Sequence, residues 1–208
     1  MKYLAIASLL LVSTFAAQSV RADDNDPYNR SGGYIGVGGT YGLELMEGSF
    51  TDTFKPFGLS ADTGNSWGAH ATAGYRFSKW ISTEVEYEWM NNFNTRVSGV
   101  NLVSLEMQTA TMNLKITAPY RQFQPYFLVG AGASWVTADK SFFAPLDFST
   151  PSFTARFGAG LDFYFTPNFY MNAGTDAVVN TARISVPGGG NGRGLDYLAF
   201  QLGFGYRF

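Results

Sequence analysis

The stretch LAFQLGFGYRF, Leu198 to Phe208, decides how the rest of the chain is read. In an extended strand successive side chains point to opposite faces. Leu198, Phe200, Leu202, Phe204, Tyr206 and Phe208 therefore share one oily face, while Ala199, Gln201, Gly203, Gly205 and Arg207 share a face that is small or polar. Alternation alone leaves open which face is outside. The strand belongs either to a soluble sandwich with aromatics in its core or to a barrel turned inside out, with its aromatics outward.

The other end of the chain bears on that choice. Met1-Lys2 gives a positive start, Leu4 to Ala17 is an apolar run broken by Ser8, Ser13 and Thr14, and Val20-Arg21-Ala22 is a small-residue site before Asp23-Asp24. This is the three-part pattern of a secretory signal peptide over residues 1–22, cleaved after Ala22 or, as the second choice, after Ser19. The mature chain is thus exported. Residues 23–30 read as a disordered lead and 31–208 as one domain. No later segment offers the run of about eighteen apolar residues that a membrane-spanning helix needs. If the mature chain crosses a membrane it does so as a closed barrel, because lipid leaves the edges of an open sheet unsatisfied.

Composition points the same way. Charged residues make up 14% of the 208, against about a quarter in ordinary soluble domains. A soluble barrel would turn its polar face to water and fill it with Lys and Glu; here that face is mostly Gly, Ser, Thr and Ala, which a crowded barrel interior accepts. A net charge of -2 argues against nucleic acid as a partner. Cysteine is absent, which removes disulfides and thiolate chemistry and suits an oxidising compartment.

The same alternation recurs along the chain. Gly33 to Tyr41 is a first strand, with Ile35, Val37 and Tyr41 on one face and Tyr34, Gly36, Gly38 and Thr40 on the other. Trp67 to Phe77 is a second, joined by the short Ser78-Lys79-Trp80 to a third, Ile81 to Trp89. A fourth runs from about Leu105 to Thr117, a fifth lies in QPYFLVGAGASW, a sixth is Phe153 to Phe165, and Thr166-Pro167-Asn168 turns into a seventh, Phe169 to Val179. Long loops are expected over Gly42–Asn65, Asn91–Ser104, Asp139–Pro151 and Asn180–Arg193. Eight strands alternating between short turns and long loops predict an all-β, antiparallel up-and-down transmembrane barrel with both termini on the short-turn side. Trp67, Trp89 and Trp135 fall at long-loop ends of their strands and Trp80 at a short turn, so all four are expected at membrane interfaces.

GGYIGVGGTYG, AGYRFSKWISTEVEYEW, QPYFLVGAGASW, LDFYFTPNFYMNAG and FQLGFGYRF, in that order and spacing, resemble the small outer-membrane β-barrel superfamily of the OmpA transmembrane-domain, OmpX and OmpW kind, over essentially the whole mature chain. The resemblance implies the outer membrane of a Gram-negative cell, with lipid and lipopolysaccharide around the barrel. It also implies that Phe204, Tyr206 and the terminal Phe208 form the signal read by the barrel assembly machinery, with periplasmic chaperones as transient partners. The peptidoglycan-binding domain of full-length OmpA-like proteins is missing, so no cell-wall tether carries over.

Parity fixes interior neighbours. A three-residue connection at Ser78-Lys79-Trp80 sets Arg76 beside Ser82, Gly74 beside Glu84, Thr72 beside Glu86 and His70 beside Glu88, with Arg76 diagonal to Glu84. Thr166-Pro167-Asn168 likewise sets Asp162 beside Asn172 and Arg156 diagonal to Asp176. Glu84, Glu86, Glu88, Asp162 and Asp176 are roughly matched by Arg76, Lys115, Arg156, Arg207 and His70. An eight-stranded barrel is only just wide enough for its own side chains, and charges inside it must be paired. The expectation is a salt-bridged plug with a structural role in the envelope. The alternatives are a narrow gated pore or OmpW-like passage, with His70 opposite Glu88 as a pH-responsive element, and adhesion to a host or surface ligand through the long loops. Among those loops, Phe142, Phe143, Leu146 and Phe148, and also Phe50, Phe54 and Phe57, are unusually apolar.

Catalysis is not expected. Some small barrels acylate or deacylate lipid A, but hydrolysis needs a base, a nucleophile and an orienting acid. The single histidine, His70, points inward between Gly68 and Thr72. A lone His among carboxylates already claimed by Arg or Lys makes no metal site, and neither metal nor cofactor is expected. A monomer is expected.

Overall fold

The computed structural model describes residues 26–44, 61–63, 65–97, 100–141, 152–181 and 196–208. The strands are β1 (Gly32–Glu44), β2 (Ala61–Thr63), β3 (Ser66–Arg76), β4 (Ile81–Val97), β5 (Val100–Thr117), β6 (Phe123–Ser141), β7 (Ser152–Tyr164), β8 (Phe169–Asn180) and β9 (Tyr197–Arg207). All pairings are antiparallel, and β2 touches only the far end of β4, where Ala61 faces Val97. The eight long strands run β4-β3-β1-β9-β8-β7-β6-β5, and pairing of β4 with β5 closes the ring. Followed round the barrel, the register passes from Tyr34 through Gly74, Glu84, Asn113, Gly130, Arg156, Val178 and Tyr197 and returns to β1 at Glu44, ten residues further on. That stagger tilts the strands by about 35–45° to the barrel axis.

Orientation is settled by exposure. Val37 is 65% exposed, Leu202 56% and Phe208 64%, whereas Arg156, Arg207 and Glu88 are 0% exposed. The oily faces point outward on every long strand, so the soluble-sandwich reading is excluded. Water would not tolerate such a belt of exposed Phe, Trp, Ile and Val; hydrocarbon requires it.

Two of the three short turns are built by hydroxyls. Ser78 Oγ accepts from the backbone N of Trp80 at 3.3 Å and of Ile81 at 3.2 Å. Thr166 Oγ1 does the same for Asn168 at 3.4 Å and Phe169 at 3.0 Å. Each side chain imitates a backbone turn and fixes a three-residue connection, which in turn fixes the register of its hairpin.

Two expectations are corrected. The long loop placed over Asn91–Ser104 is largely strand: β4 continues to Val97, β5 starts at Val100, and only residues 98–99 separate them. Register shifts between Met90 and Phe93 and between Thr95 and Arg96 break the period-two signal there. A ladder standing in water also has no need of an oily face, so composition does not betray it. Trp89 and Trp135 consequently lie within their strands rather than at the ends. If they mark the outer interface, β4 rises past it by about 20 Å, given about 3.3 Å per residue and the tilt. Second, the lead expected to be disordered is ordered from Asp26 onward. Pro27–Asn29 form a single 3-10 turn, capped by Asp26, whose side chain accepts from the N of Tyr28 at 3.0 Å. Residues 1–25, with the expected signal peptide, the cores of the first, third and fourth long loops, and the phenylalanines expected in the first and third fall outside the described residues.

Candidate functional site: the interior polar network

Five of the eight wall strands, β4, β5, β7, β8 and β9, send side chains into one cluster in the outer half of the lumen. Arg156 of β7 lies at its centre, with Nη1 at 2.6 Å from Glu86 Oε1 and 2.9 Å from Asp176 Oδ2, and Nη2 at 3.3 Å from Glu88 Oε1. Gln201 Nε2 donates to Glu86 Oε1 at 2.6 Å and to Glu88 Oε2 at 3.0 Å, and Asn113 Nδ2 donates to Glu86 Oε2 at 3.2 Å. The Tyr197 hydroxyl donates to Glu88 Oε1. One guanidinium thus faces three buried carboxylates. Toward the outer end, Met90, Met107 and Val178 are fully buried and lie over the cluster as an apolar stopper.

Glycine makes room for this crowding. A Cβ at Gly158 would collide with the carboxylate of Asp176, its partner across the ladder, so the small residue is what lets Asp176 reach Arg156.

The inner half is arranged differently. Lys115 Nζ lies 2.7 Å from Asp162 Oδ2 and 3.9 Å from the centre of the Tyr126 ring. Asn172 Nδ2 donates to Asp162 Oδ1 at 2.7 Å and to the Tyr126 hydroxyl at 2.9 Å. Glu84 accepts from the Tyr34 hydroxyl at 2.8 Å. Arg76 donates to Gln124 Oε1 and to the Lys79 carbonyl, both at 2.6 Å, and to the Ser78 carbonyl at 3.2 Å. Arg207 donates to the carbonyls of Tyr28 at 2.8 Å and Pro167 at 3.1 Å and stacks over the Tyr164 ring at 4.6 Å. Gln124 also donates to the Tyr28 carbonyl at 2.9 Å. The ordered N-terminal turn therefore sits across the inner mouth.

The register brings together Arg76 with Ser82, Gly74 with Glu84, Thr72 with Glu86 and His70 with Glu88. It also sets Asp162 beside Asn172. Two contacts expected from proximity are replaced by others. Arg76 turns away from Glu84 toward the mouth carbonyls, where its fork finds three acceptors. His70 reaches Glu88 only through Thr40, whose Oγ1 lies 3.0 Å from His70 Nδ1 and 3.5 Å from Glu88 Oε2. Tyr34, Tyr126, Tyr164, Tyr170 and Tyr197, all inward and buried, were missed as members of the network. Their signal was a tyrosine alternating in phase with glycine and acid on the polar face. Outside the barrel Trp67, Trp80, Trp89 and Trp135 are all exposed, and Trp89 Nε1 donates to Glu106 Oε1 at 2.5 Å. Phe204 and Tyr206 on β9, and Phe208 just after it, are exposed on the outer face, beside β1.

The space left inside is small. A cavity of about 20 Å³ lies among Glu84, Glu86, Lys115 and Asp176, and one of about 10 Å³ among Arg76, Lys115 and Arg207. The first has room for one or two waters and the second for one, since a water needs about 10–15 Å³ measured in this way. Among the described residues no group of three or more His, Cys, Asp or Glu side chains is placed to hold a metal ion.

A closed antiparallel ring, apolar outside and charged within, is a membrane-spanning β-barrel. The chain belongs to the outer membrane protein beta-barrel domain family, whose model matches residues 7–208. It is an outer-membrane protein. No curated protein matches it in sequence. Among solved structures it is similar to Neisserial surface protein A, at 14% identity and a TM-score of 0.61, covering 86% of this chain and 99% of that one. It is also similar to OprG of Pseudomonas aeruginosa, at 20% identity and a TM-score of 0.54, covering 85% and 96%. AlkL matches at 16% identity and a TM-score of 0.54, covering 92% and 96%. These likenesses are of fold.

Proposed function

We propose that this protein is a sealed, non-enzymatic barrel with a structural role in the outer membrane, its lumen closed by the Arg156 cluster. The observation that carries this reading is the fully buried guanidinium held at 2.6–3.3 Å by Glu86, Glu88 and Asp176, which lie on two other strands. Opening a path would strip partners from charges that cannot be left alone in a medium of low polarity. The inward His70 ring, bonded to Thr40 and remote from lipid, supports the non-enzymatic part. Lipid and lipopolysaccharide are the surroundings that the exposed aromatic belt fits, and the barrel needs no second copy to bury an edge. The test is planar-bilayer recording of the refolded full chain. The expected outcome is a current at the level of protein-free membrane; reproducible discrete steps would overturn the reading.

The β4–β5 ladder beyond Trp89 supports a second reading, recognition of a surface ligand by this projecting edge. Bacteria displaying the chain, or a version with residues 91–105 replaced by a two-residue turn, would be compared for adherence to immobilised matrix and serum proteins. Equal adherence removes this reading and leaves the first intact.

A further inference from the structure

The inner cavity is lined by Arg76, Lys115, Arg207, Asp162, Tyr164 and Tyr170, among others. Its charges do not balance. Both carboxylate oxygens of Asp162 are engaged, one by Lys115 at 2.7 Å and the other by Asn172 at 2.7 Å. Arg76 donates only to neutral oxygens, those of Gln124, Ser78 and Lys79. Arg207 is 0% exposed, donates through Nη2 alone, and leaves Nε and Nη1 without a hydrogen-bond partner. Among the described residues neither guanidinium touches a carboxylate. Two buried cations and two unpartnered donor nitrogens therefore border this space.

We infer that the cavity between Arg76 and Arg207 is a binding site for a single small monovalent anion of the halide class. Water would satisfy the spare donors but not the charge, and a buried cation without a counter-ion is unfavourable in this medium. The space, about 10 Å³, has the size of one water or one monatomic ion. Tyr164 and Tyr170 also line the space. Entry is from the periplasmic mouth, where, among the described residues, the Asp26–Arg30 turn is tied to Arg207 and Gln124.

The probe is bromide. The full chain is folded in micelles, and its unfolding midpoint is measured as sodium bromide replaces sodium gluconate at constant ionic strength. The midpoint is expected to rise and saturate with bromide, and crystals soaked in bromide to show one anomalous peak per chain beside Arg207. In Arg207→Gln the bromide-dependent rise is lost. In Arg76→Gln, which keeps the spare Arg207 donors, half-saturation needs at least tenfold more bromide, and this variant serves if Arg207→Gln does not fold. Identical midpoints in bromide and gluconate, a full response in Arg207→Gln, or a cavity holding water only in the anomalous map would each overturn the site.

Discussion

The two halves of the lumen solve the same problem in opposite ways. In the outer half a single cation, Arg156, serves Glu86, Glu88 and Asp176. In the inner half Lys115 pairs with Asp162 alone, each acid also has a neutral partner, Asn172 for Asp162 and Tyr34 for Glu84, and Arg76 and Arg207 donate to neutral oxygens. Concentrating charge on one residue gives a tight plug that a single loss destroys. Distributing it gives a region that tolerates losses and has basic charge to spare.

The contrast predicts a gradient of effects, measurable by urea unfolding in lipid vesicles. Arg156→Met should be the most damaging, by about 3–5 kcal/mol, because it strands three buried carboxylates. If the plug reading holds, replacing those three by Gln, Gln and Asn in the same background recovers most of that loss. Lys115→Met should cost less, about 1.5–3 kcal/mol, since Asp162 keeps Asn172. An effect as large as that of Arg156→Met would erase the distinction between the halves. Tyr34→Phe removes one hydrogen bond to Glu84 and should cost about 1–2 kcal/mol, with no change in Lys115-dependent stability. Arg121→Gly touches neither half. Its backbone stands at φ 48, where glycine is at ease, and the change should be neutral or stabilising by up to about 1 kcal/mol. A larger shift would mean that the connection after β5 takes part in the network through Gln124, which donates to the Arg121 carbonyl at 2.8 Å.

The plug's register was legible because two turns of three residues, each fixed by a hydroxyl, made parity binding. Once Ser78 and Thr166 set their hairpins, His70 had to face Glu88 and Asp162 had to face Asn172. The projecting part of β4 and β5 was not legible, because bulges scrambled its period and no lipid demanded an oily face there. The ordered turn at Pro27–Asn29 was hidden for another reason. Tyr28 looks like any residue of a polar lead until Gln124 and Arg207, about a hundred or more positions away, take its carbonyl.

By itself the sequence determined the strands of the membrane zone, their inside-out orientation and the identity of the inward charges, since all of these follow from a period of two between fixed turns. Only the tertiary structure decided which acids Arg156 gathers, that among the described residues Arg76 and Arg207 go without a carboxylate, and that the N-terminal turn lies at the inner mouth. Those choices depend on how far the ring is staggered when it closes. That stagger is a property of all eight strands together and is written in none of them singly.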